Sequence, residues 1–256
     1  MNKFIDEVYD VITSGGIGFN FRDTSISVLQ NDIEIIGCIQ FNQKYKDIQL
    51  QDEYLIQILF PLNFPDRTPI VKEIKGRIPS SADYHNNKEN NGLCLGVPGE
   101  IDKKIHANPT FKYLISEIVI PFLYANTFRE KYNKYPWETR QHGAEGIIDY
   151  YQKLFGFNDR NTTQNFLLNI AFFRNFVKGH NLCPCGSGKQ FRNCHKSKYD
   201  ALVKYHSHKN IQKDILQILR DYNPSNIDKL VTNMYTKKWY QLFRISIREL
   251  MKKSCL

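Results

Sequence analysis

Apolar and polar positions at the start of the chain follow the period of a helix. One apolar and one acidic stripe lie on opposite faces of residues 2–13, and Ser14-Gly15-Gly16 ends the pattern. The apolar stripe consists of Phe4, Ile5, Val8, Tyr9 and Ile12. These positions predict a short N-terminal helix.

Extended segments then follow at short intervals, separated by polar joints. They cover residues 25–29, 33–41, 53–60 and 70–74. Connections this short cannot make parallel crossovers, so we predict a four-stranded antiparallel meander behind the helix. The predicted fold class is therefore α+β.

Residues 79–109 lose periodicity and are rich in Gly, Pro, Asn and Asp, which predicts a long functional loop. Helical spacing returns beyond it. The predicted helices cover residues 110–124, 143–155, 165–177, 198–222 and 227–253. The polar run after Gly156 predicts two domains, at residues 1–160 and 161–256.

Composition shows where the charge lies along the chain and indicates the cellular compartment. The 256-residue chain carries a net charge of +9, but residues 161–256 hold 17 Lys/Arg against 5 Asp/Glu, whereas the first 160 residues are slightly acidic. An apolar run long enough to cross a membrane is absent, and the start is acidic, so we expect a soluble, cytoplasmic protein. Its cysteines do not form a disulfide framework, which fits a reducing compartment.

Cys94 has the sequence surroundings of an exposed nucleophile. Gly92 and Gly96 flank it and permit backbone turns that expose a thiol, whose thiolate form reacts. His85 and Asn87 precede it in the same loop region. The amide of Asn87 could donate a hydrogen bond to the oxyanion of a tetrahedral intermediate.

The order of these features resembles the ubiquitin-conjugating enzymes over roughly residues 1–125. It comprises the helix, the meander, the turn Phe60-Pro61-Leu62-Asn63-Phe64-Pro65, the pair Tyr84-His85 and the segment Gly92-Leu93-Cys94-Leu95. The resemblance implies a conjugating-enzyme fold in which Cys94 carries a ubiquitin-like C-terminus as a thioester. It places His85 and Asn87 at the first and third positions of the His-Pro-Asn motif, with Asn86 at the proline. His85 would mainly shape the loop.

Residues 136–147 resemble a segment of bacterial conjugating-enzyme-like proteins from cyclic-oligonucleotide anti-phage signalling. The resemblance implies a ubiquitin-like protein or a nucleotidyltransferase as partner, bound through its C-terminus. It leaves His142 as either a proton acceptor near the thiol or a helix-capping residue. A phosphate-cradling glycine loop is absent from the sequence, so we expect activation by ATP either to occur on a separate activating enzyme or to be bypassed. A non-catalytic adaptor and a cysteine hydrolase remain the alternatives.

A compact cysteine-histidine pattern occupies residues 183–195. Cys183, Cys185, Cys194 and His195 supply four ligands around a Gly-Ser-Gly turn, the number that structural Zn²⁺ requires. The pattern resembles the SEC-C motif. A segment this short and polar should fold only with its metal. Its many flanking lysines predict contact with an acidic protein rather than nucleic acid, because exposed aromatic residues do not alternate with them.

Overall fold

The computed structural model describes residues 3–86, 92–137, 143–173 and 177–220. The chain divides into two compact units, unit 1 at residues 1–140 and unit 2 at residues 141–256. This division falls before the predicted boundary at residue 160. The helix at Gly143–Phe155 packs on later helices of unit 2, which accounts for the earlier division. None of the helices within the described ranges has the length and apolarity to span a membrane.

Unit 1 begins with a helix and a four-stranded sheet. The elements are α1 (Lys3–Ser14), β1 (Phe19–Val28), β2 (Asp32–Tyr45), β3 (Ile48–Pro61) and β4 (Ile70–Glu73). The sheet order is β1-β2-β3-β4, and every neighbouring pair is antiparallel. The predicted helix and meander are thus confirmed, with β1 starting six residues before the predicted 25.

The β2–β3 hairpin forms the centre of this sheet. Its pairing runs without a shift from Asp32↔Pro61 to Tyr45↔Ile48. Alternate β2 residues, including Ile33, Ile35, Ile39 and Phe41, are buried in the core. Since strand side chains alternate between faces, one face of the sheet packs in the core and the other stays more accessible.

The prediction of an unbroken loop at residues 79–109 is wrong. A ten-residue helix, α2 (Pro98–Ala107), lies within it. Pro98 stands at the first helical position, where its missing N–H costs nothing, and Ile101 and Ile105 are buried one turn apart. This apolar stripe is only two residues long, which is too short to predict a helix among the surrounding Gly and Asn residues.

The long helix that packs on the core of unit 1 contains one π-helical turn. It runs through α3 (Phe111–Leu114), a π-helical turn (Ile115–Val119) and α4 (Ile120–Tyr132). Pro121 lacks the N–H of a regular helical hydrogen bond, and the wider turn just before it accommodates that loss. The predicted end at residue 124 is therefore too early.

A polar cluster ties β3 to α4. The guanidinium of Arg77 bonds the carboxylates of Asp52 and Glu130, each at 2.6 Å, and lies 4.2 Å from the ring centroid of Tyr54. Thr127 bonds both Asp52 and the hydroxyl of Tyr54. Arg77 thus links the sheet and the helix through charge-assisted hydrogen bonds.

Unit 2 is helical where it is described. Its helices are α5 (Gly143–Phe155), α6 (Arg160–Phe172), α7 (Lys196–Leu202) and α8 (His208–Arg220). Asp159 caps α6 by accepting a hydrogen bond from the N–H of Thr162, so this helix starts before the predicted residue 165. The predicted helix at 227–253 lies outside the described residues.

The predicted continuous helix at 198–222 is wrong, because it breaks between α7 and α8. The break turns the fully buried ring of His206 toward Asp214 on α8, with Nε2 3.0 Å from the carboxylate. The same carboxylate accepts a hydrogen bond from the hydroxyl of Tyr151 on α5 at 2.8 Å. These buried polar groups satisfy one another, which offsets the cost of burying them.

Candidate functional site

Cys94 lies at the end of a short antiparallel contact in unit 1. Its N–H donates to the carbonyl of His85 at 2.7 Å. The preceding residue, Leu93, pairs with Asn86 as an isolated bridge and donates its own N–H to the carbonyl of Val71 at 2.7 Å. These backbone bonds attach the Cys94 segment both to β4 and to the His85 loop.

Gly96 makes the turn between Cys94 and α2. Its φ of 152° is one that L side chains rarely adopt, and an added Cβ would lie 3.0 Å from Cδ1 of Ile101. The position therefore requires glycine. The turn leaves the side chain of Cys94 exposed.

Cys94 is the one exposed thiol among the five cysteines within the described ranges. The surrounding protein atoms nevertheless raise its pKa above the ordinary value for a thiol, and a hydrogen bond with the backbone of Gly96 lowers it by less. The accessible area decides whether a reagent can reach the sulfur, whereas the pKa decides how much of it is thiolate. Cys94 is accessible, but mostly protonated at neutral pH.

His85 contributes its backbone to this site. Besides accepting the Cys94 hydrogen bond, it adopts a positive φ of 53°, and its ring packs edge-on against Tyr135 at 5.5 Å and Phe122 at 6.4 Å. The geometry gives His85 a loop-shaping role. Asn87 and His142, the other side chains considered at this site, lie outside the described residues.

An arginine on α4 contacts the loop that contains His85. The guanidinium of Arg129 lies 3.8 Å from the ring centroid of Tyr84 and donates to the carbonyl of Asp83 and, at 2.8 Å, to the hydroxyl of Tyr135. The side chain of Asn86 is buried and donates to the carbonyl of Ile78 at 3.3 Å. Sequence reasoning missed Arg129, because it lies 35 residues after Cys94.

The four predicted ligands of unit 2 converge on one point. Their ligand atoms all lie within 4.8 Å of one another. Nδ1 of His195 is 3.3 Å from Sγ of Cys183 and 3.2 Å from Sγ of Cys194, and the sulfurs of Cys185 and Cys194 are 3.6 Å apart. Three sulfurs and one imidazole nitrogen arranged this closely can hold a metal ion.

A small hairpin and a turn carry these ligands. Leu182 pairs with Gln190 as an isolated bridge, and the N–H of Cys183 donates to the carbonyl of Lys189 at 2.8 Å. Gly186 and Gly188 have φ values of 78° and 72°, so the reversal between them needs glycine. Comparison with known families matched residues 181–197 to the SEC-C motif. Unit 2 contains a SEC-C motif.

Comparison of the whole chain with curated proteins and with solved structures gave no match. The SEC-C match covers residues 181–197, so it describes the cysteine-histidine cluster and not unit 1.

The SEC-C motif is anchored to the end of α5. Nε2 of His195 lies 3.2 Å from the carbonyl oxygen of Phe155, and Nζ of Lys198 donates to the same oxygen at 3.0 Å. The last carbonyls of a helix lack intrahelical partners, so this one is free to accept both bonds. When Nε2 carries the proton, Nδ1 is left to face the sulfurs.

Aromatic side chains surround the imidazole of His195. Its ring centroid lies 5.0 Å from that of Phe157, 5.4 Å from Phe166 and 6.0 Å from Phe155. Burial lowers the pKa of His195 and raises that of Cys183. A dication would oppose the second effect, because it favours the thiolate. The sequence offered no signal for this aromatic shell, since its members lie about 30–40 residues before His195.

Proposed function

We propose that unit 1 is a ubiquitin-conjugating-enzyme-like domain and that Cys94 carries the C-terminus of a ubiquitin-like tail as a thioester. The observation that carries the proposal is the exposed Cys94 thiol, joined by backbone hydrogen bonds to the His85 loop. The N-terminal helix and the four-stranded antiparallel meander are compatible with this fold. The tail would belong to a ubiquitin-like protein or to a nucleotidyltransferase of an anti-phage system.

The reaction would proceed in two acyl transfers. The thiolate of Cys94 attacks the carbonyl of a tail that an activating enzyme holds as a thioester; the new C–S bond forms, and the donor thiol leaves. An amine then attacks the Cys94 thioester, an amide forms, and the Cys94 thiolate leaves. The proton of the amine passes to a base or to water.

The neighbouring groups would support these steps in different ways. His85 holds the backbone of Cys94, and Arg129 holds the His85 loop. Asn87 is predicted to stabilise the oxyanion, a contribution typically worth about 2.7–4 kcal/mol. Because protein atoms raise the pKa of Cys94, the first transfer should accelerate as the pH rises toward that value.

The SEC-C ligands suit Zn²⁺. Ligands at tetrahedral zinc distances are separated by about 3.8 Å for two sulfurs and about 3.5 Å for sulfur and nitrogen. Three of the six ligand pairs have separations of 3.2–3.6 Å, close to these values, and all six lie within 4.8 Å. Cys183, Cys185, Cys194 and His195 would fill all four positions, so the ion would stabilise the fold and leave no position open for catalysis.

The test of the acyl-carrier role is a transfer assay. The full chain is mixed with a ubiquitin-like protein, its activating enzyme and ATP, and the products are resolved without reductant and by intact mass. We expect a reductant-sensitive adduct in the native chain and in Cys38→Ser, a matched thiol control on β2, but not in Cys94→Ala. An adduct that persists in Cys94→Ala would refute the assignment.

A non-catalytic adaptor is the second candidate, and the excess of Lys/Arg over Asp/Glu in residues 161–256 favours it. In this role, unit 1 would bind the tail, and the lysines beside the SEC-C ligands, including Lys189, Lys196 and Lys198, would recruit an acidic protein. The adaptor predicts that Cys94→Ala keeps full binding and full biological function, whereas Cys183→Ser loses recruitment. Cleavage of a preformed conjugate by the native chain would instead support a cysteine hydrolase.

A further inference from the structure

Lysines and aromatic residues alternate in two separate segments of unit 1. The first is Lys44-Tyr45-Lys46, at the turn of the β2–β3 hairpin, and the second is Lys131-Tyr132-Asn133-Lys134-Tyr135-Pro136-Trp137, at the end of α4. The sequence gives no reason to connect them, since more than 80 residues separate them. The fold brings them together.

The contact between the segments is made by aromatic rings. The ring centroids of Tyr45 and Trp137 lie 5.2 Å apart at an interplanar angle of 76°, and the indole is nearly parallel to the buried ring of Tyr124 at 6.3 Å. The hydroxyl of Tyr124 is itself fixed by donating to the carbonyl of Ile48 at 2.8 Å. Two ring contacts thus hold the indole in one orientation.

The same rings remain open to solvent. Trp137 exposes 38%, Tyr45 36% and Tyr132 46% of their areas. Tyr132 joins the group through Phe128, whose ring centroid lies 4.5 Å from that of Tyr132 and 6.3 Å from that of Tyr124. Large, rigid rings that are held by neighbouring rings and still expose part of their area are suited to stacking against a planar ligand.

Exposed lysines accompany these rings. Nζ of Lys46 lies 5.6 Å from the ring centroid of Tyr45, and Lys131 follows Tyr124 by seven residues, which places it on the same face of α4. Lys134 is exposed three residues before Trp137. Among the described residues, the acidic neighbours of these lysines in the sequence are Asp47, which is exposed beside Lys46, and Glu130, whose carboxylate bonds Arg77. Cations therefore predominate.

We propose that these residues form a binding surface for single-stranded nucleic acid. This aromatic-lysine surface consists of Tyr45, Lys46, Lys131, Tyr132, Lys134 and Trp137. Bases would stack on the exposed rings, and phosphates would contact the lysines, without selection for sequence. The positive charge of its lysines complements a phosphate backbone. The SEC-C segment differs, since its aromatic residue Phe191 is buried and the nearby Tyr199 on α7 is half-buried.

Fluorescence titration tests the stacking directly. The chain has two tryptophans, so Trp239→Phe leaves Trp137 as the one reporter. We expect oligo-dT of about 12 nucleotides, a length within the usual site size, to quench Trp137. An abasic strand of equal length should bind more weakly without quenching. Equal binding of both strands, or no quenching by oligo-dT, would overturn the proposal.

Variants separate stacking from charge. Trp137→Leu should weaken oligo-dT binding about 5- to 140-fold, the loss of one stacked base, whereas Trp137→Phe should retain most of it. Lys46→Ala should reduce the slope of log Kobs against log salt by about 0.7. Lys44→Ala removes the same charge from the strand position before Tyr45, so its side chain points away from the face of that ring, and the slope should stay nearly unchanged. Lys46 departs from this alternation, because it lies in the turn at a positive φ of 53° with Nζ near the Tyr45 ring.

Two further results would count against the surface. If Trp137→Leu and Trp137→Phe lose binding equally while circular dichroism shows both folded, a packing effect and not stacking is responsible. If polyglutamate competes with oligo-dT as well as an equally charged abasic strand does, and Trp137 does not respond, the surface recognises acidic protein. The assay needs no acyl transfer, so its outcome is independent of the role of Cys94.

Discussion

Cys94 in unit 1 and Cys183 in unit 2 have the same local backbone arrangement. Each follows a leucine that forms an isolated antiparallel bridge, Leu93 with Asn86 and Leu182 with Gln190. Each donates its N–H to the carbonyl of the residue before that bridge partner, at 2.7 and 2.8 Å. Cys94 is nevertheless exposed and Cys183 buried.

The difference lies in what the fold adds around each sulfur. Cys183 faces two further thiols and an imidazole that is itself held by the end of α5. Cys94 faces solvent, and the turn that follows it at Gly96 has a backbone conformation that only glycine adopts easily. The comparison teaches that a backbone bridge can fix the position of a thiol, whereas the residues around the sulfur decide whether it joins a cluster or faces solvent.

The largest expected effect comes from breaking the cluster in unit 2. Cys183→Ser should abolish tight metal binding, and hydrogen exchange at residues 181–197 should become fast, because the segment has too little apolar burial to fold alone. Metal content by mass spectrometry checks the loss. Cys38→Ser, which removes a half-buried thiol in unit 1, should retain all metal. Slow exchange at 181–197 in the metal-free variant would contradict the account.

Changing the turn glycine tests the other side of the comparison. Gly96→Ala should destabilise unit 1 by about 1–3 kcal/mol, because alanine avoids the backbone conformation at this position. Urea unfolding measures the loss. Gly76→Ala, at a φ of 75° with no atom within 4 Å of the added Cβ, should cost about 1–2 kcal/mol. A smaller loss at Gly96 than at Gly76 would show that the turn tolerates side chains.

Removing Arg129 should loosen the loop that holds Cys94. Arg129→Met deletes its hydrogen bonds to Asp83 and Tyr135 and its contact with the Tyr84 ring, for an expected loss of about 1–3 kcal/mol. Hydrogen exchange of the Cys94 amide should accelerate. The matched variant Arg77→Met removes an arginine that contacts the Tyr54 ring. In this variant, exchange of the Cys94 amide should accelerate only as much as the loss of overall stability requires. Equal acceleration in both variants would contradict a local role.

The smallest effect concerns acid stability. Burial alone would raise the pKa of Asp52, but hydrogen bonds from Arg77, Thr127 and the Glu53 backbone outweigh it and lower the pKa. The carboxylate therefore contributes stability above the unfolded pKa of about 3.9 and loses it as the pH falls through the lower folded value.

Asp52→Asn should flatten the dependence of stability on pH between about 2 and 5, a change of about 1 kcal/mol. Thermal unfolding across this range measures it. Asp47→Asn, which removes an exposed carboxylate at the β2–β3 turn, is the control for the loss of one negative charge. A steeper dependence in Asp52→Asn would refute the sign of the pKa shift.

The sequence predicted features that local patterns encode. Alternation of apolar residues and short connections predicted the meander, and the spacing of Cys183, Cys185, Cys194 and His195 predicted the cysteine-histidine cluster. Features that depend on distant contacts could not be read this way. The break before α8 depends on His206 meeting Asp214 and Tyr151, and the tautomer of His195 depends on the carbonyl of Phe155.

Helix α2 illustrates a weaker local signal. Ile101 and Ile105 form one turn of an apolar stripe, while Pro98 serves as a helix start that also reads as a loop residue. Packing of the two isoleucines in the core decides between these readings.

Residue-resolved alkylation tests the contrast between the two thiols most directly. Iodoacetamide is applied to the metal-loaded full chain, and the modified cysteines are quantified by peptide mass spectrometry between about pH 7 and 10, a range that spans the ordinary thiol pKa. We predict that Cys94 reacts first among the five cysteines that the structure describes, with a rate still rising above about pH 8.5 because its pKa is raised. Cys183, Cys185 and Cys194 should react only after chelation. Protection of Cys94 while the metal-loaded cluster reacts would contradict the account.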